Sequence, residues 1–313
     1  MIPFFITIDT EGDALWDDPQ IENIKTENVL WIPRFQELCE KYNFKPIWLT
    51  DYEIIMDDRF VHYIKEKNKK GLCEVGIHLH AHNNPPLMKL ENEKESGAAY
   101  LIEYPYDVMK EKFLYLKELL ERHLECKILT HRAGRWALNQ EYWKLLNEVG
   151  IKYDCSVTPG INWSHAEGIT VGSQGSDYSQ CKYKKYTIEN VTEYPVTILE
   201  CKSFIRPDTI GLKQIARSGY HMIKKSKLWL RPNTNGNLNE MKYLLKRIKK
   251  ENLEYAEFMI HSSEFMPGGG PKHQGDEAVE KLFYNMEELF KYATKLGYVG
   301  ATFNTWESSK NLE

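Results

Sequence analysis

Short apolar runs rich in β-branched and aromatic residues alternate with amphipathic stretches along almost the whole chain, and that alternation leaves few folds open. Residues 2–8 form such a run, cut off by Asp9 and Gly12, the pattern of a buried strand that opens into a polar loop. Helical and strand-like segments then follow in turn: helix 29–42, strand 46–49, helix 60–67, strand 72–77, helix 108–123, strand 127–129, helix 140–149 and strand 151–156. Further on come a strand near 194–199, a helix over 238–249, a strand at 257–260, and a last helix and strand. In that last helix Val279, Leu282, Phe283, Met286, Leu289, Phe290 and Ala293 share one face, and Gly297 stands where the helix should end. Repeated strand-helix units with no Pro/Gly/Ser-rich linker predict one α/β domain over residues 1–313, built on a parallel sheet and closed as a barrel.

At 313 residues the chain fits one such barrel. Hydrophobic residues make up 42% and charged residues 27%, which supplies a large core and carries no mark of disorder. A net charge of -4 gives no general attraction to phosphate backbones, and the basic run at 246–250 reads as the wet face of a helix, so nucleic acid is not an expected partner. The six cysteines, Cys39, Cys73, Cys126, Cys155, Cys181 and Cys201, include no CxxC pair, which speaks for reduced, mostly buried thiols. The first residues lack the basic start and apolar core of a secretory signal, and no run approaches the roughly 20 apolar residues of a membrane span. On that reading no transmembrane segment and a cytoplasmic location are expected.

Two stretches break the strand-helix rhythm, one near 83–104 and one near 160–190, the second rich in Gly, Ser and Tyr. Long ordered loops in a compact domain are usually lids or binding loops, so both are expected near the mouth of a site.

Chemistry concentrates at strand ends. The segment from Gly76 to His82 puts His78, His80 and His82 within five residues, directly after a strand. If the chain turns helical there, His78 and His82 share one face at a spacing that grips a metal ion, and His80 points elsewhere. Asp9, Glu11 and Asp13 follow the first strand, and in a barrel all strands end on the same face. These acids can therefore meet the histidines although about 70 residues separate them, one as an oxygen ligand and another as a base. Three more strand ends bear suitable groups: His131, Arg132 and Arg135; Asp154; and His261 with Glu264. An arginine there can hold a carboxylate ionised, and a histidine can protonate a leaving group.

In their order along the chain these segments resemble the polysaccharide deacetylase family, the NodB-homology or carbohydrate esterase family four enzymes, over essentially the whole chain. Thr7-Ile8-Asp9-Thr10-Glu11 resembles the first motif, which implies Asp9 as general base and Glu11 as a metal ligand. Glu74 to His82 resembles the second, which implies His78 and His82 as ligands. His131 to Trp136 resembles the third, which implies that Arg132 steadies the base and that a backbone N–H near Arg135 binds an oxyanion. Met259-Ile260-His261 resembles the last, which implies His261 as general acid. The segments 153–159 and 193–196 also resemble family segments, with the role of Asp154 left open. The implied fold is a distorted (β/α)7-type barrel. The family's paired aspartates are Asp9-Thr10-Glu11 here, so Asp13 stays as the alternative ligand, and the prolines of the third motif are Ala133 and Gly134.

The resemblance implies a metal-dependent hydrolase of carbon–nitrogen bonds other than peptide bonds. It would remove the acetyl group from an N-acetylated sugar in a polysaccharide, oligosaccharide or activated-sugar precursor. The implied cofactor is a divalent metal, Zn2+ first, with Co2+, Mn2+ and Ni2+ as alternatives. The carbohydrate is the one expected partner, and no oligomeric state is read from the sequence. Trp136, Trp163 and Tyr178 could stack on sugar rings or pack in the core. Two rival readings differ in class. His78-Leu79-His80 also reads as the HxH pair of amidohydrolase-like barrels, whose substrate could be a cyclic amide, but there the pair follows the first strand, where this chain has acids. The other rival is a carbohydrate-binding protein that has lost catalysis, against which the retained base, ligands and acid speak.

Overall fold

The computed structural model of the protein describes residues 1–13, 24–201, 226–233, 236–270 and 273–310. Strand β1, Ile2–Thr10, is the spine of its sheet and is buried from Pro3 onward. It pairs in parallel with β2, Pro46–Thr50, on one side and with β10, Ala256–His261, on the other, while β11, Tyr298–Gly300, pairs with its first residues. From β2 the order runs through β3 (Glu74–Leu79), β4 (Thr130–Ala133), β5 (Tyr153–Asp154), β7 (Val191–Glu193) and β6 (Tyr186–Ile188). Every pairing is parallel except that of β6 with β7. Strands β8 (Ile198–Cys201) and β9 (Ser226–Trp229) form a separate antiparallel ribbon.

The helices Ile32–Lys41, Asp58–Lys69, Tyr106–Leu124, Gln140–Glu148 and Leu238–Lys250 lie between strands, as parallel connections require. Helix Asp276–Leu296 buries the stripe from Val279 to Ala293 read in the sequence, and Gly297 ends it at φ 84°. A residue with a Cβ is strained at that angle, whereas glycine adopts it freely. Even-numbered residues of β1, Phe4, Ile6 and Ile8, join the core under these helices. Odd-numbered ones face the concave side, because successive strand residues alternate.

That concave side is layered. At the bottom Phe5, Tyr194, Tyr255 and Phe303 close the sheet with ring centroids 4.5 to 5.9 Å apart. Above them lie Thr7, Arg132 and Glu257, all fully buried, and above those Asp9, His78 and His261 at the strand ends. Such layers of side chains fill a barrel interior and leave its upper rim for chemistry.

The strand expected near 194–199 is split, since β7 stops at Glu193 and β8 starts at Ile198. Pro195 lies in the break and has no N–H to give to a ladder. The chain instead bonds irregularly to both sides. Tyr194 and Val196 donate to the carbonyls of Asp154 and Val157 at 2.8 and 2.9 Å, and the Thr197 hydroxyl accepts the Glu257 N–H at 2.8 Å. The curled sheet thus has a seam of non-strand chain between β5 and β10. Strand β4 also starts three residues later than read, so that His131 and Arg132 lie within the strand rather than after it.

Among the described residues no helix is long and apolar enough to cross a membrane. The cysteines form no disulfide, and Cys39, Cys73, Cys155 and Cys201 are buried.

Candidate active site

Strand β3 keeps its extended form through Leu79, and this decides which histidines meet. Val75, Ile77 and Leu79 face the helices, so Gly76, His78 and His80 face the concave side. Glu11, just past the end of β1, turns to the same place. His80 Nε2 lies 3.0 Å from Glu11 Oε2 and 3.1 Å from His78 Nε2, and His78 Nε2 lies 3.6 Å from that carboxylate oxygen. The expected pairing of His78 with His82, with His80 turned away, presumed a helical turn that does not form at this point. The strand period of two brings His80 in instead.

His78 donates from Nδ1 to the Arg132 carbonyl at 3.0 Å, which leaves its Nε2 lone pair facing Glu11 and His80. One carboxylate oxygen and two imidazole nitrogens, all within 4.8 Å of one another, match the donor preference of zinc-like cations. His82 lies beside this group, its ring 5.5 Å from that of His80. Both its ring nitrogens are buried without a hydrogen-bond partner, and burial together with His80 and Arg135 pushes its pKa down to about 3. A neutral imidazole with no committed nitrogen is a donor in reserve. The residues present therefore fit a divalent metal.

Asp13 does not reach this group. Its carboxylate accepts the backbone N–H of Glu27 and Asn28 and the Asn28 amide, at 2.6 to 3.1 Å, and so organises a turn. Lys112 supports the loop after His80 from below. It is fully buried, and its ammonium donates to the carbonyls of Ala81, Asn84 and Pro86 at 2.7 to 3.0 Å.

Asp9 sits across the sheet from His261, its register partner on β10. Arg132 donates from Nη1 to Asp9 Oδ1 at 2.6 Å, and His261 Nε2 lies 3.6 Å from Asp9 Oδ2 and 3.9 Å from Glu11 Oε1. Burial opposes the ionisation of Asp9, but Arg132, His78 and His261 outweigh it and hold its pKa below the ordinary value. The other side of the His261 ring is fixed by Glu264, whose Oε1 lies 3.1 Å from Nδ1 and accepts from Arg231 at 3.0 Å. A histidine anchored at Nδ1 presents Nε2 to a reacting group. The sequence reading named Glu264 only as part of a polar strand end. It overlooked Glu257, which shares the inner face of β10 with Met259 and His261.

Asp154 belongs to the frame. It binds the His131 ring at 2.5 Å and the Ser156 hydroxyl at 2.8 Å, and that hydroxyl accepts the Ala133 N–H at 2.8 Å. His131 also contacts the Tyr142 hydroxyl at 2.9 Å, so it faces the helices rather than the site. The turn after β4 is strained. Arg135 and Trp136 adopt φ of 54° and 62°, a left-handed backbone that non-glycine residues rarely hold without a role. A Cβ on Gly134 would stand 2.4 Å from the Leu79 carbonyl oxygen, so only glycine lets β4 pass this close to the end of β3.

The two long loops are laced together over this turn. Glu103 accepts from the backbone and hydroxyl of Thr170 at 2.7 and 2.6 Å, Lys94 pairs with Glu167 at 2.6 Å, and Arg135 stacks 4.0 Å from the Tyr100 ring. Arg135 also donates to carbonyls in both loops, Ala98 and Glu167. Of the aromatics, Tyr178 is buried and donates to the Trp136 carbonyl at 2.6 Å, and Trp163 donates to Thr158 at 2.8 Å. Trp136 lies under Arg132 and edge-on to Trp229, with centroids 6.4 Å apart.

No family model matches the chain, and no curated protein matches it. Solved structures do. A proposed polysaccharide deacetylase from Mycobacterium smegmatis is similar at 15% identity, over 96% of this chain and 94% of that one, with a TM-score of 0.46. A carbohydrate esterase family four pseudoenzyme from Bacillus anthracis is similar at 12% identity, over 96% of this chain and 64% of that one, with a TM-score of 0.44. The 4-α-glucanotransferase of Thermococcus litoralis is similar at 14% identity and a TM-score of 0.55, where 98% of this chain spans 40% of that enzyme. At 14% identity the likeness to the glucanotransferase speaks for the fold alone, a mixed α/β domain with a curled parallel sheet.

Proposed function

We propose that the protein is a metal-dependent deacetylase that removes the acetyl group from an N-acetylated sugar. The observation that carries this reading is the juxtaposition of two devices on one rim. One is the Glu11, His78 and His80 donor set, and the other is the carboxylate of Asp9 facing the imidazole of His261. Glu11, His78 and His80 would hold the cation, with His82 next to them, and zinc suits this donor set best. When bound, a divalent metal supplies Lewis acidity toward an acyl oxygen and toward water.

The chain's own groups do the rest. Asp9, kept ionised by Arg132, takes a proton at Oδ2 from the attacking water. His261, anchored through Nδ1 by Glu264, delivers a proton from Nε2 to the departing sugar nitrogen, without which an amine does not leave. A backbone N–H in the strained turn at Arg135 is the proposed partner for the developing oxyanion. Atoms balance: water adds across the C–N bond, and acetate and a free amino sugar result. Trp136, 5.1 Å from the Arg132 guanidinium, and Trp229 beside it are the proposed aromatic surface for a sugar ring.

Mass spectrometry of a panel of N-acetylated mono- and oligosaccharides and nucleotide-linked sugars, incubated with the Zn2+-loaded protein, tests the reading. Loss of one acetyl group per sugar is expected. A metal-loaded protein that binds these sugars and releases no acetate would make it a carbohydrate-binding protein instead.

A further inference from the structure

We infer that Glu257 is a positioning residue for this reaction: it holds Arg132 so that the guanidinium contacts Asp9 through one nitrogen and leaves the second Asp9 oxygen turned toward His261. The inference rests on the role proposed for Asp9, and its case is geometric. Glu257 and His261 are on the inner face of β10, and Thr7 and Asp9 are on the inner face of β1. Arg132 reaches between them from β4. Its Nη1 donates to Asp9 at 2.6 Å, while its Nη2 donates to Glu257 Oε1 at 2.5 Å and to the Thr7 hydroxyl at 2.9 Å. Its Nε donates to the Cys155 carbonyl at 2.9 Å, and the Thr7 hydroxyl donates to Glu257.

A buried arginine beside a single carboxylate tends to the two-nitrogen fork, which occupies both carboxylate oxygens. Here Glu257 and Thr7 draw the second nitrogen away. Asp9 Oδ2 is thereby left 3.6 Å from His261 Nε2 and takes no bond from Arg132. Packing alone does not explain the acid. Glu257 is fully buried and its Oε2 has no hydrogen-bond partner, so the acid is held there by what its Oε1 accepts from Arg132 and Thr7.

Three substitutions in the full-length, metal-loaded protein test this. Glu257→Met removes the carboxylate at similar volume, Glu257→Asp keeps the charge but shortens the reach, and Glu257→Gln keeps an acceptor oxygen. For the acetylated sugar that the wild type turns over, kcat should fall about 30-fold in the Met variant and about tenfold in the Asp variant, with KM within about twofold. The Gln variant should stay within about threefold of wild type. Should the Met variant not fold, the Asp and Gln pair carries the same contrast. Nitrogen-15 spectra of the Arg132 side chain give a second readout that needs no turnover. Separate, slowly rotating Nη groups are expected in the wild type and Gln variant and are expected to be lost in the Met and Asp variants. Unchanged kcat and unchanged Arg132 spectra in the Met or Asp variant would overturn the inference. Absence of acetate release from the wild type would count against the deacetylase reading alone, and the Arg132 spectra would still judge the role of Glu257.

Discussion

Glu11 and His80, 69 positions apart in the chain, meet at 3.0 Å because β1 and β3 end on the same rim and β3 stays extended past His78. His80→Ala is therefore expected to weaken Zn2+ binding on the order of 100-fold or more, and His82→Ala by less than about tenfold. Titration calorimetry on metal-stripped protein reads both. The reverse order would return the donor set to His78 and His82.

Asp9→Asn should lower kcat on the order of 1000-fold and leave metal content unchanged, since Asp9 is no part of the donor set. Metal analysis alongside acetate release separates the two effects. Full turnover in this variant would remove Asp9 as the base.

Much of this site was legible because the rim of a parallel barrel gathers strand ends, so acids at the end of β1 and histidines at the ends of β3 and β10 converge. The helix Asp276–Leu296 was legible for the same kind of reason, a clear apolar stripe with a terminal glycine. What escaped the reading depends on local geometry. Whether His80 or His82 joins His78 turns on where one strand stops, and three closely spaced histidines are compatible with either period. Pro195 argues against a continuous strand over 194–199, a signal the reading passed over, and the bonds that bridge the break come from distant segments. Glu257 was read only as the first residue of a strand, and the folded interior shows it bound to Arg132.

Gly134→Ala should be severe for so small a change. The added Cβ would meet the Leu79 carbonyl oxygen at 2.4 Å and His80 Nδ1 at 3.2 Å, so β4 or the end of β3 must move. A loss of about 1–3 kcal/mol in urea unfolding is expected, together with weaker Zn2+ binding. Stability equal to wild type would show that the two strand ends separate freely.

Asp57 predicts an acid-sensitive step in stability away from the site. It caps the helix Asp58–Lys69 and binds Arg59 and Thr26; burial raises its pKa, but these bonds outweigh that and bring it down to about 2 from 3.8. A folded pKa below the unfolded one means that the stabilisation is complete above pH 3.8 and is lost as pH falls toward 2. After screening at this partly exposed site the contribution is about 1 kcal/mol. Asp57→Ala should lose it at neutral pH and flatten that part of the stability profile between pH 4 and pH 2, as read by thermal unfolding.

The seam of non-strand chain from Tyr194 to Thr197 separates two things that evolution can then vary independently. Asp9 and His261 owe their juxtaposition to the register of β1 with β10, which is set by continuous ladder bonds between those two strands and not by the seam beside β10. Length changes at the seam leave that ladder intact and reach it through the Thr197 hydroxyl, which accepts the Glu257 N–H. A lineage carrying this chain could thus edit one stretch of backbone and keep Asp9 and His261 in register.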